Sequence, residues 1–346
     1  MSSSVEKSSG TPSSLSGQQI VYGGIAWAVI SLLFFLLFSI TAPGEESPLW
    51  YLIGTYVLET LPFLGAAILC YRNWRSPQIA SGRNVWLGIG LGMLSWFIGN
   101  LIFGVWELYF GLSPEVSPAD LFYITFYLFL SWGMVLAVLP RRLNLEVWQW
   151  VTVGFIAVLG IALAVLVLLS TPNGGSKAAG VVSPLNAIEQ TTTGATLPLA
   201  AGSPQALLVQ ASGSDAAVPS VEESQPGENR APGWAISIQE TLSPFSKSVN
   251  FFYIVGDVFL LIIASTLFLA FWGGRFAQSW RVIAAATVCL YIADMYFKYE
   301  DATQTKYQSG SLLEVFFVFS GVLFAIGAAL EYDVSSRSRR SARKRA

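Results

Sequence analysis

Seven polar side chains lie within long apolar runs of this chain, at positions that a bilayer or neighbouring helices would surround. They are Glu59, Asn100, Glu107, Asp257, Asp294, Lys298 and Asp301. Ionisable groups inside a membrane are costly, so they face a bundle interior or a water-filled cavity and mark ligand, ion or proton pathways. We therefore predict a polar pocket within the bilayer. Interhelical hydrogen bonds that hold a bundle together explain the same residues without a ligand, and the sequence leaves both interpretations open.

The spacing of these residues places them on common helix faces. One run carries Trp96, Asn100, Phe103 and Glu107, and a later run carries Tyr291, Asp294, Lys298 and Asp301. Intervals of three and four residues return to the same side of an α-helix, so each run presents one polar face. Asp294 and Lys298 are four residues apart. This predicts an ion pair within one helix, with the lysine ammonium reaching towards the membrane interface.

Two further acids follow serines at a spacing that is typical of helix starts. Ser117 precedes Asp120 by three residues, and Ser311 precedes Glu314 by three. In a capping box the serine hydroxyl accepts a hydrogen bond from the third backbone N–H, and the acid returns to the serine N–H. We predict that these four residues cap helices, which explains both acids without a ligand.

The residue types that are missing exclude several kinds of chemistry. The chain has no histidine and two cysteines, Cys70 and Cys289. Histidine-based catalysis, histidine metal sites and histidine-ligated haem are therefore excluded, and the two cysteines alone cannot build a disulfide framework or a zinc site. No nucleophile with its base, metal triad or phosphate-binding loop is recognisable, so we predict no enzyme, no metal and no cofactor.

The elements that must position these residues are membrane-spanning helices. Apolar residues make up 53% of the chain and charged residues 12%, whereas a soluble domain carries about 25% charged residues. Roughly 20 apolar residues are needed to cross the hydrocarbon core. Eight runs are long enough, namely 19–40, 48–70, 84–110, 120–139, 148–170, 250–272, 281–299 and 312–331. The sequence thus predicts an all-α integral membrane protein with eight transmembrane helices.

The two halves of the chain align without gaps at an offset of 194 residues. The matched pairs are Asn100 with Asp294, Phe103 with Phe297, Glu107 with Asp301, Ser117 with Ser311, Asp120 with Glu314 and Phe122 with Phe316. The offset equals four spans, so both halves cross the bilayer in the same direction. We predict two parallel four-helix repeats related by a pseudo-two-fold axis along the membrane normal.

Composition separates the membrane helices from the remaining segments. Residues 1–18 are rich in serine and predict a disordered leader before membrane helices one to five, in 19–170. Residues 171–249 are rich in Gly, Ala, Ser, Thr and Pro, which predicts a long, mostly disordered loop, with a small β domain as the alternative. Membrane helices six to eight, in 250–331, and a basic tail, 332–346, complete the chain.

The distribution of lysine and arginine predicts the orientation. Of the 19 such residues, 14 lie on the side that carries both termini and five on the other side. Cytoplasmic loops carry the excess, so both termini are predicted to be cytoplasmic, the loop 171–249 extracytoplasmic and the polar pocket in the outer half of the bilayer.

The C-terminal tail is strongly basic. Its charged residues include Arg337, Arg339, Arg340, Arg343, Lys344 and Arg345. Basic residues beside a membrane attract anionic lipids, so we predict that the tail lies on the inner leaflet. Docking to an acidic protein is the alternative. Nucleic acid is not an expected partner, because no nucleic-acid-binding fold accompanies the charge.

Several short motifs resemble a known kind of membrane region. They are Trp106-Glu107-Leu108-Tyr109-Phe110-Gly111, Ser117-Pro118-Ala119-Asp120-Leu121-Phe122-Tyr123, Gly256-Asp257 and Tyr307-Gln308-Ser309-Gly310-Ser311-Leu312-Leu313-Glu314. The chain resembles the multi-span input regions found N-terminal to diguanylate cyclase and phosphodiesterase domains in bacterial signalling proteins. The resemblance covers the second to eighth spans and implies a sensor-type domain of the bacterial inner membrane.

The chain departs from these regions in two ways. The Gly-Gly-Asp-Glu-Phe cyclase signature does not occur in this sequence, so we expect no output domain, and the insertion 171–249 is unusual for such regions. The resemblance therefore implies work through a membrane or cytoplasmic protein partner, in a sensor-like or scaffold role. A small transporter that uses intramembrane carboxylates is the alternative, with Asp257 and Asp294 as coupling groups.

Overall fold

The structure is a computed structural model that describes residues 16–40, 47–112, 115–139, 146–170, 231–271, 277–303 and 309–343. Side chains at 168, 170, 301–303 and 337–343 lie outside this description. The chain divides into two units, residues 1–172 with 229–346 and residues 173–228, and the second contains no described residue. Most of the predicted leader and of the predicted loop therefore lie outside the described ranges.

The described ranges are 88% helical and contain no strand. Their α-helices are α1 (Gly17–Phe38), α2 (Leu49–Arg75), α3 (Arg83–Gly104), α4 (Ala119–Val138), α5 (Val147–Ser170), α6 (Gly233–Leu242), α7 (Ser246–Ala270), α8 (Ala277–Thr303) and α9 (Val315–Arg343). A π-helical turn, Val105–Tyr109, extends α3, and 3-10 turns, Ser243–Phe245 and Leu312–Glu314, precede α7 and α9.

Eight helical segments in these ranges are long and apolar enough to cross a membrane. Each corresponds to one of the predicted spans, and α6 with α7 forms the sixth segment, Gly233–Ala270. The predicted all-α, eight-span membrane architecture is thereby confirmed. It follows from local composition, because a hydrocarbon-spanning helix needs only a long apolar run that satisfies its own backbone hydrogen bonds.

The first helix begins earlier than the sequence predicted. It starts at Gly17, inside the predicted leader, because Ser16 and Gln19 form a complete capping box. Gln19 N–H donates to Ser16 Oγ at 3.3 Å, and Ser16 N–H donates to Gln19 Oε1 at 2.9 Å. The motif Ser-x-x-Gln in the sequence is typical of a capping box at a helix N-terminus.

The sixth span also begins earlier, since helical residues 233–249 fall within the predicted loop 171–249. Here α6 packs on the end of α3. Ala235 is fully buried in a cluster with Trp106 and Phe110. The ring centroid of Trp234 lies 5.8 Å from that of Trp106 and 5.4 Å from that of Phe110. The loop boundary was wrong because these stabilising aromatic contacts come from residues far away in the sequence.

Six helices form the centre of the bundle. α3 packs along α2 and α4, α8 packs along α7 and α9, and the two sets meet where α2 contacts α9 and where α4 contacts α7. α1 lies against α9, and α5 lies against α7 and α8. Apolar side chains on these two peripheral helices, such as Leu37 and Val151, are 70% and 66% exposed. Such faces suit contact with lipid tails, which are as apolar as leucine.

Glycines allow two central helices to touch. A Cβ atom at Gly133 of α4 would lie 2.7 Å from Ile89 N, and one at Gly88 of α3 would lie 2.7 Å from Gly133 Cα. Small residues allow such close backbone approach between membrane helices. α8 also packs closely on α9 at Gly327, where a Cβ would lie 2.6 Å from the side-chain atom Ile283 Cγ1.

Helix ends collect at two ends of the bundle, because successive spans run in opposite directions. We call the end at which α2 begins and α3 ends the polar end. There Tyr51 donates a hydrogen bond to Gly310 O. At the opposite end Ser81 Oγ donates to Glu331 Oε1 at 2.7 Å.

Candidate polar site within the bundle

Asp257 of α7 and Asp294 of α8 meet at the hydroxyl of Tyr127 of α4. This hydroxyl lies 2.8 Å from Asp294 Oδ2 and also contacts Asp257 Oδ1. The Asp294 carboxyl group also acts electrostatically on that of Asp257. Gly256 admits the tyrosine ring, because a Cβ there would lie 2.7 Å from Tyr127 Cδ1. Asp257 is 1% exposed, so these contacts are shielded from solvent.

Lys298 completes this group, which we call the Asp257 cluster (Tyr127, Tyr253, Asp257, Asp294 and Lys298). Lys298 Nζ lies 3.8 Å from Asp257 Oδ2 and 4.7 Å from the ring centroid of Tyr253. The ion pair and the cation–π contact offset part of the cost of removing the ammonium from water. The structure thus replaces Asp294 by Asp257 as the partner of the ion pair, although the ammonium also acts electrostatically on Asp294, and the predicted reach to the membrane interface stays a prediction. The lysine side chain is 12% exposed and pairs with an acid of the neighbouring helix.

Asp120 connects the Asp257 cluster to the start of α4. Its Oδ1 accepts from the Tyr253 hydroxyl at 2.5 Å, and its Oδ2 accepts from Ser117 N–H at 2.7 Å and from Ser117 Oγ at 3.2 Å. The return of the acid to Ser117 N–H confirms half of the predicted capping box. The other half is wrong, because Ser117 Oγ accepts from Ala119 N–H at 3.2 Å rather than from Asp120.

Glu107 lies in the π-helical turn that follows α3. Phe110 N–H bonds to Val105 O at 3.3 Å, which widens the turn by one residue and rotates Glu107 relative to a continuous α-helix. Glu107 Oε2 accepts from Ser309 Oγ at 2.6 Å and from the Tyr56 hydroxyl. Its Oε1 accepts from Ser309 N–H at 2.9 Å. Glu107 thus joins α2 and α3 to the segment before α9.

Glu314 stabilises the turn before α9 without the predicted capping box. Its Oε2 accepts from the N–H of Gly310 at 2.7 Å, not from that of Ser311. Gly310 has a φ of 112°, which favours glycine over residues with a side chain. The Ser311 hydroxyl donates to Glu300 instead of capping the helix. The prediction for Ser311 was wrong because an acid on α8 takes up its hydroxyl.

Glu59 of α2 is buried beside two of these acids. It is 6% exposed, and the carboxyl groups of Glu314 and Glu107 act on it electrostatically. Its Oε1 has no hydrogen-bond partner among the described residues. Buried polar atoms are nearly always paired, so this oxygen is a position where water, a proton or a donor from a ligand would be accommodated.

Asn100 joins three helices at the centre of the polar region. Its Nδ2 donates to Thr60 Oγ1 of α2 at 2.7 Å, and its Oδ1 accepts from the Tyr123 hydroxyl of α4 at 3.2 Å. The carboxyl groups of Glu59 and Asp294 both act electrostatically on Tyr123. Tyr123 is therefore influenced both by an acid of the Asp257 cluster and by Glu59.

The structure brings six of the seven predicted pocket residues into the half of the bundle nearest the polar end. They are Glu59, Asn100, Glu107, Asp257, Asp294 and Lys298. The side chain of Asp301 lies outside the described part of the chain. That this region binds a ligand stays a prediction.

Sequence reasoning missed the tyrosines that donate to these acids and to Asn100. Tyr56, Tyr123, Tyr127 and Tyr253 all point into the polar region. A signal was present, because Tyr123 precedes Tyr127 by four residues and Tyr253 precedes Asp257 by four. This spacing places each pair on one helix face.

The predicted lipid-binding tail is helical for most of its length, since α9 runs to Arg343. The tail residues proposed to contact lipid lie outside the described side chains, and Lys344 and Arg345 lie outside the described backbone. Their contact with anionic lipids stays a prediction.

The chemistry that the polar region can perform is hydrogen bonding and proton exchange. It contains carboxyl groups, tyrosine hydroxyls and one ammonium group. Across the described ranges, no three or more acids or cysteines are arranged to hold a metal ion. Cys70 is buried in the apolar core, away from these acids.

Comparison with known proteins adds no relative. The chain matches no protein-family model, no curated protein and no solved structure. The helices define a polytopic, all-α membrane protein.

Proposed function

We propose that this protein is a sensor-like protein of the bacterial inner membrane that acts through a separate protein partner. The observation that carries this proposal is a hydrogen-bonded network that joins helices from both halves of the chain. Asn100 connects α2, α3 and α4, and Tyr127 connects α4, α7 and α8. Glu107 connects α2 and α3 to the segment before α9.

Such a network makes the helices respond together. Leaving one buried donor or acceptor unpaired costs about 1–3 kcal/mol. A ligand that changes one of these bonds therefore favours a rearrangement of several helices. α2 and α9 extend from this region to the opposite end, where Asn73 Nδ2 donates to Ala328 O at 2.9 Å. That end is where a partner would receive the signal.

We propose that both termini are cytoplasmic and that the polar end faces outwards. The excess of lysine and arginine beside the opposite end supports this orientation. There the Arg72 guanidinium lies 4.1 Å from the ring centroid of Tyr332, and α9 continues into the basic tail. We propose that the tail contacts anionic lipids on the inner leaflet, with an acidic surface of the partner as the alternative.

The two parallel repeats also remain a proposal, and two contacts at positions 194 residues apart support it. A Cβ at Gly321 would lie 2.9 Å from Pro62 Cβ. The equivalent positions are Tyr127 and Gly256, where a Cβ at Gly256 would lie 2.7 Å from Tyr127 Cδ1. The equivalent positions thus meet twice between the two halves, once where α2 contacts α9 and once where α4 contacts α7.

A tryptophan pair supports the same symmetry. Trp86 and its equivalent Trp280 are both fully buried, and their ring centroids lie 6.1 Å apart. Residues beside a two-fold axis contact their own equivalents in this way. The peripheral helices depart from the pattern, because α1 contacts α9 whereas α5 contacts α7 and α8.

Photo-crosslinking in native membranes tests the partner. A photoreactive residue replaces Gln78, which is exposed at the opposite end, and, as the matched control, Glu115, which is exposed at the polar end. We expect a discrete crosslinked protein from position 78. Its yield should change by about twofold or more when Tyr127→Phe or Glu107→Gln is added, because coupling through such networks amounts to roughly 0.5–2 kcal/mol. Adducts with lipid alone, or equal yields in all variants, would overturn the proposal.

The Asp257 cluster favours a second candidate function, a small transporter coupled to protons. Intramembrane acids paired with a cation are typical of coupling sites. Purified protein in vesicles that contain a pH-sensitive dye should acidify the lumen when a potassium diffusion potential is imposed. Asp294→Asn should abolish this response, and Asp120→Asn should retain it. A flat dye signal with the wild-type protein would eliminate proton-coupled transport.

A further inference from the structure

We propose that Asp257, Tyr127 and Asp294 form a binding site for one exchangeable proton, which the two carboxyl groups share. The site lies where α4, α7 and α8 converge. In the binding step a carboxylate oxygen takes a proton from a hydronium ion, which leaves a carboxylic acid and a water molecule. The inference goes beyond the proposed function, since it holds whether or not a partner protein exists.

The count of hydrogens supports this site. The hydroxyl of Tyr127 carries one hydrogen, yet it lies 2.8 Å from Asp294 Oδ2 and contacts Asp257 Oδ1. Ionised carboxylates only accept hydrogen bonds. A second hydrogen is therefore required, and a proton on one carboxyl group supplies it.

Neighbouring hydroxyl groups cannot supply this hydrogen, because each is used elsewhere. The Tyr253 hydroxyl donates to Asp120 Oδ1, and the Tyr291 hydroxyl donates to Gly160 O at 2.7 Å. The Tyr123 hydroxyl donates to Asn100 Oδ1. Asp257 Oδ2 has no hydrogen-bond donor in the described part of the chain, since Lys298 Nζ lies 3.8 Å away.

The count of charges leads to the same number of protons. Two ionised carboxyl groups and the Lys298 ammonium would leave the site with a net charge of about −1. Net charge is costly in a buried, low-dielectric setting, and one bound proton makes the site neutral. Asp257 is 1% exposed, so solvent does not screen the excess charge.

The surrounding helices do not provide another counter-charge. The ionisable groups that act on the site are Asp120 and Tyr123 on α4, Tyr253 on α7, and Tyr291 and Lys298 on α8. α5 packs against α7 and α8 and carries no ionisable side chain from Val147 to Ser170. Of these groups only Lys298 is a cation.

Infrared spectroscopy of the purified protein, reconstituted in lipid at neutral pH, tests the proposal directly. Aspartate is labelled with carbon-13, so that the C=O stretch of a protonated aspartic acid moves to lower frequency while glutamic acid bands stay in place. We expect one such label-sensitive band, which shifts further in deuterium oxide because the proton exchanges. Absence of any label-sensitive band from a protonated aspartic acid in the wild-type protein would overturn the proposal.

Variants assign the band to the site. Asp294→Asn and Asp257→Asn should each remove it, because one remaining carboxylate is balanced by Lys298. Lys298→Met should give about twice the wild-type band area, since two protons are then needed for neutrality. Asp120→Asn is the matched control and should retain the band, because Asp120 already accepts from Tyr253 and twice from Ser117. A band that survives in both Asp257→Asn and Asp294→Asn would contradict the assignment.

Discussion

Replacing Gly133 by alanine tests the close backbone contact between α3 and α4. The added Cβ would lie 2.7 Å from Ile89 N and 2.9 Å from Val85 O, whereas ordinary contact begins at 3.4 Å. Both atoms belong to the backbone of α3, so no side-chain rotation relieves the overlap. The two helices must separate by a few tenths of an ångström, which also disturbs the packing of Gly88 against Gly133.

The expected cost follows from two opposing effects. Overpacking a tight interface costs about 1–3 kcal/mol. Alanine favours helix over glycine by about 1 kcal/mol, which offsets part of this cost. We therefore expect Gly133→Ala to reduce the free energy of unfolding by about 0–2 kcal/mol.

Two further glycines provide controls with graded outcomes. Gly154 of α5 has no atom within 4 Å of an added Cβ, so Gly154→Ala should leave stability unchanged or raise it. Gly327→Ala should fall between the two. Its nearest neighbour is the side-chain atom Ile283 Cγ1 at 2.6 Å, which can move, and the backbone atom Ser279 O is 3.4 Å away.

Titration with sodium dodecyl sulfate in mixed micelles, followed by tryptophan fluorescence and circular dichroism, measures these differences. We expect Gly154→Ala to be the most stable of the three variants, Gly327→Ala to be intermediate and Gly133→Ala to be the least stable. If Gly133→Ala is as stable as Gly154→Ala, the close approach of α3 and α4 is incorrect.

Three further substitutions test the hydrogen-bond network. Asn100→Leu removes the bonds to α2 and α4 and should lower the unfolding free energy by about 1 kcal/mol in the same titration; an unchanged midpoint would contradict the contacts. Glu107→Gln weakens the charge-assisted hydrogen bonds to Ser309, so the Ser309 amide should exchange with deuterium about tenfold faster. Mass spectrometry measures this rate, and equal rates in wild type and variant would refute the role of Glu107 in holding Ser309. Asn73→Leu removes the hydrogen bond to Ala328 at the opposite end and should lower the unfolding free energy by about 1 kcal/mol. Deuterium exchange of the Ser309 amide should stay unchanged in this variant. Faster exchange at Ser309 would show that the effect of Glu107→Gln is not local.

The polar region was only partly predictable from the sequence. Acids within apolar runs predicted groups that avoid lipid, and six of the seven lie together in the bundle. Their partners were not predictable, because helices that are apolar on all sides give no sign of which side faces a neighbour. Lys298 illustrates this point, since it pairs with Asp257 of α7 and not with Asp294, four residues before it on α8.

Local geometry produced other differences. The π-helical turn at Val105–Tyr109 rotates Glu107 towards Ser309. The residue types in this stretch do not predict a π-helical turn. Ser311 was predicted to cap a helix, but its hydroxyl donates to Glu300 because the end of α8 lies beside it. Such competition depends on which groups approach in three dimensions.

The sequence by itself determined the eight membrane-spanning helices and the need to shelter the acids, because hydrocarbon imposes both requirements on each segment separately. Tertiary structure decided which groups share hydrogens and charge. Tyr127 lies 130 positions before Asp257 and 167 before Asp294. Only the packing of α4 against α7 and of α7 against α8 brings the three together, since hydrogen bonds require contact between atoms and the sequence pattern of an apolar helix does not specify its neighbours.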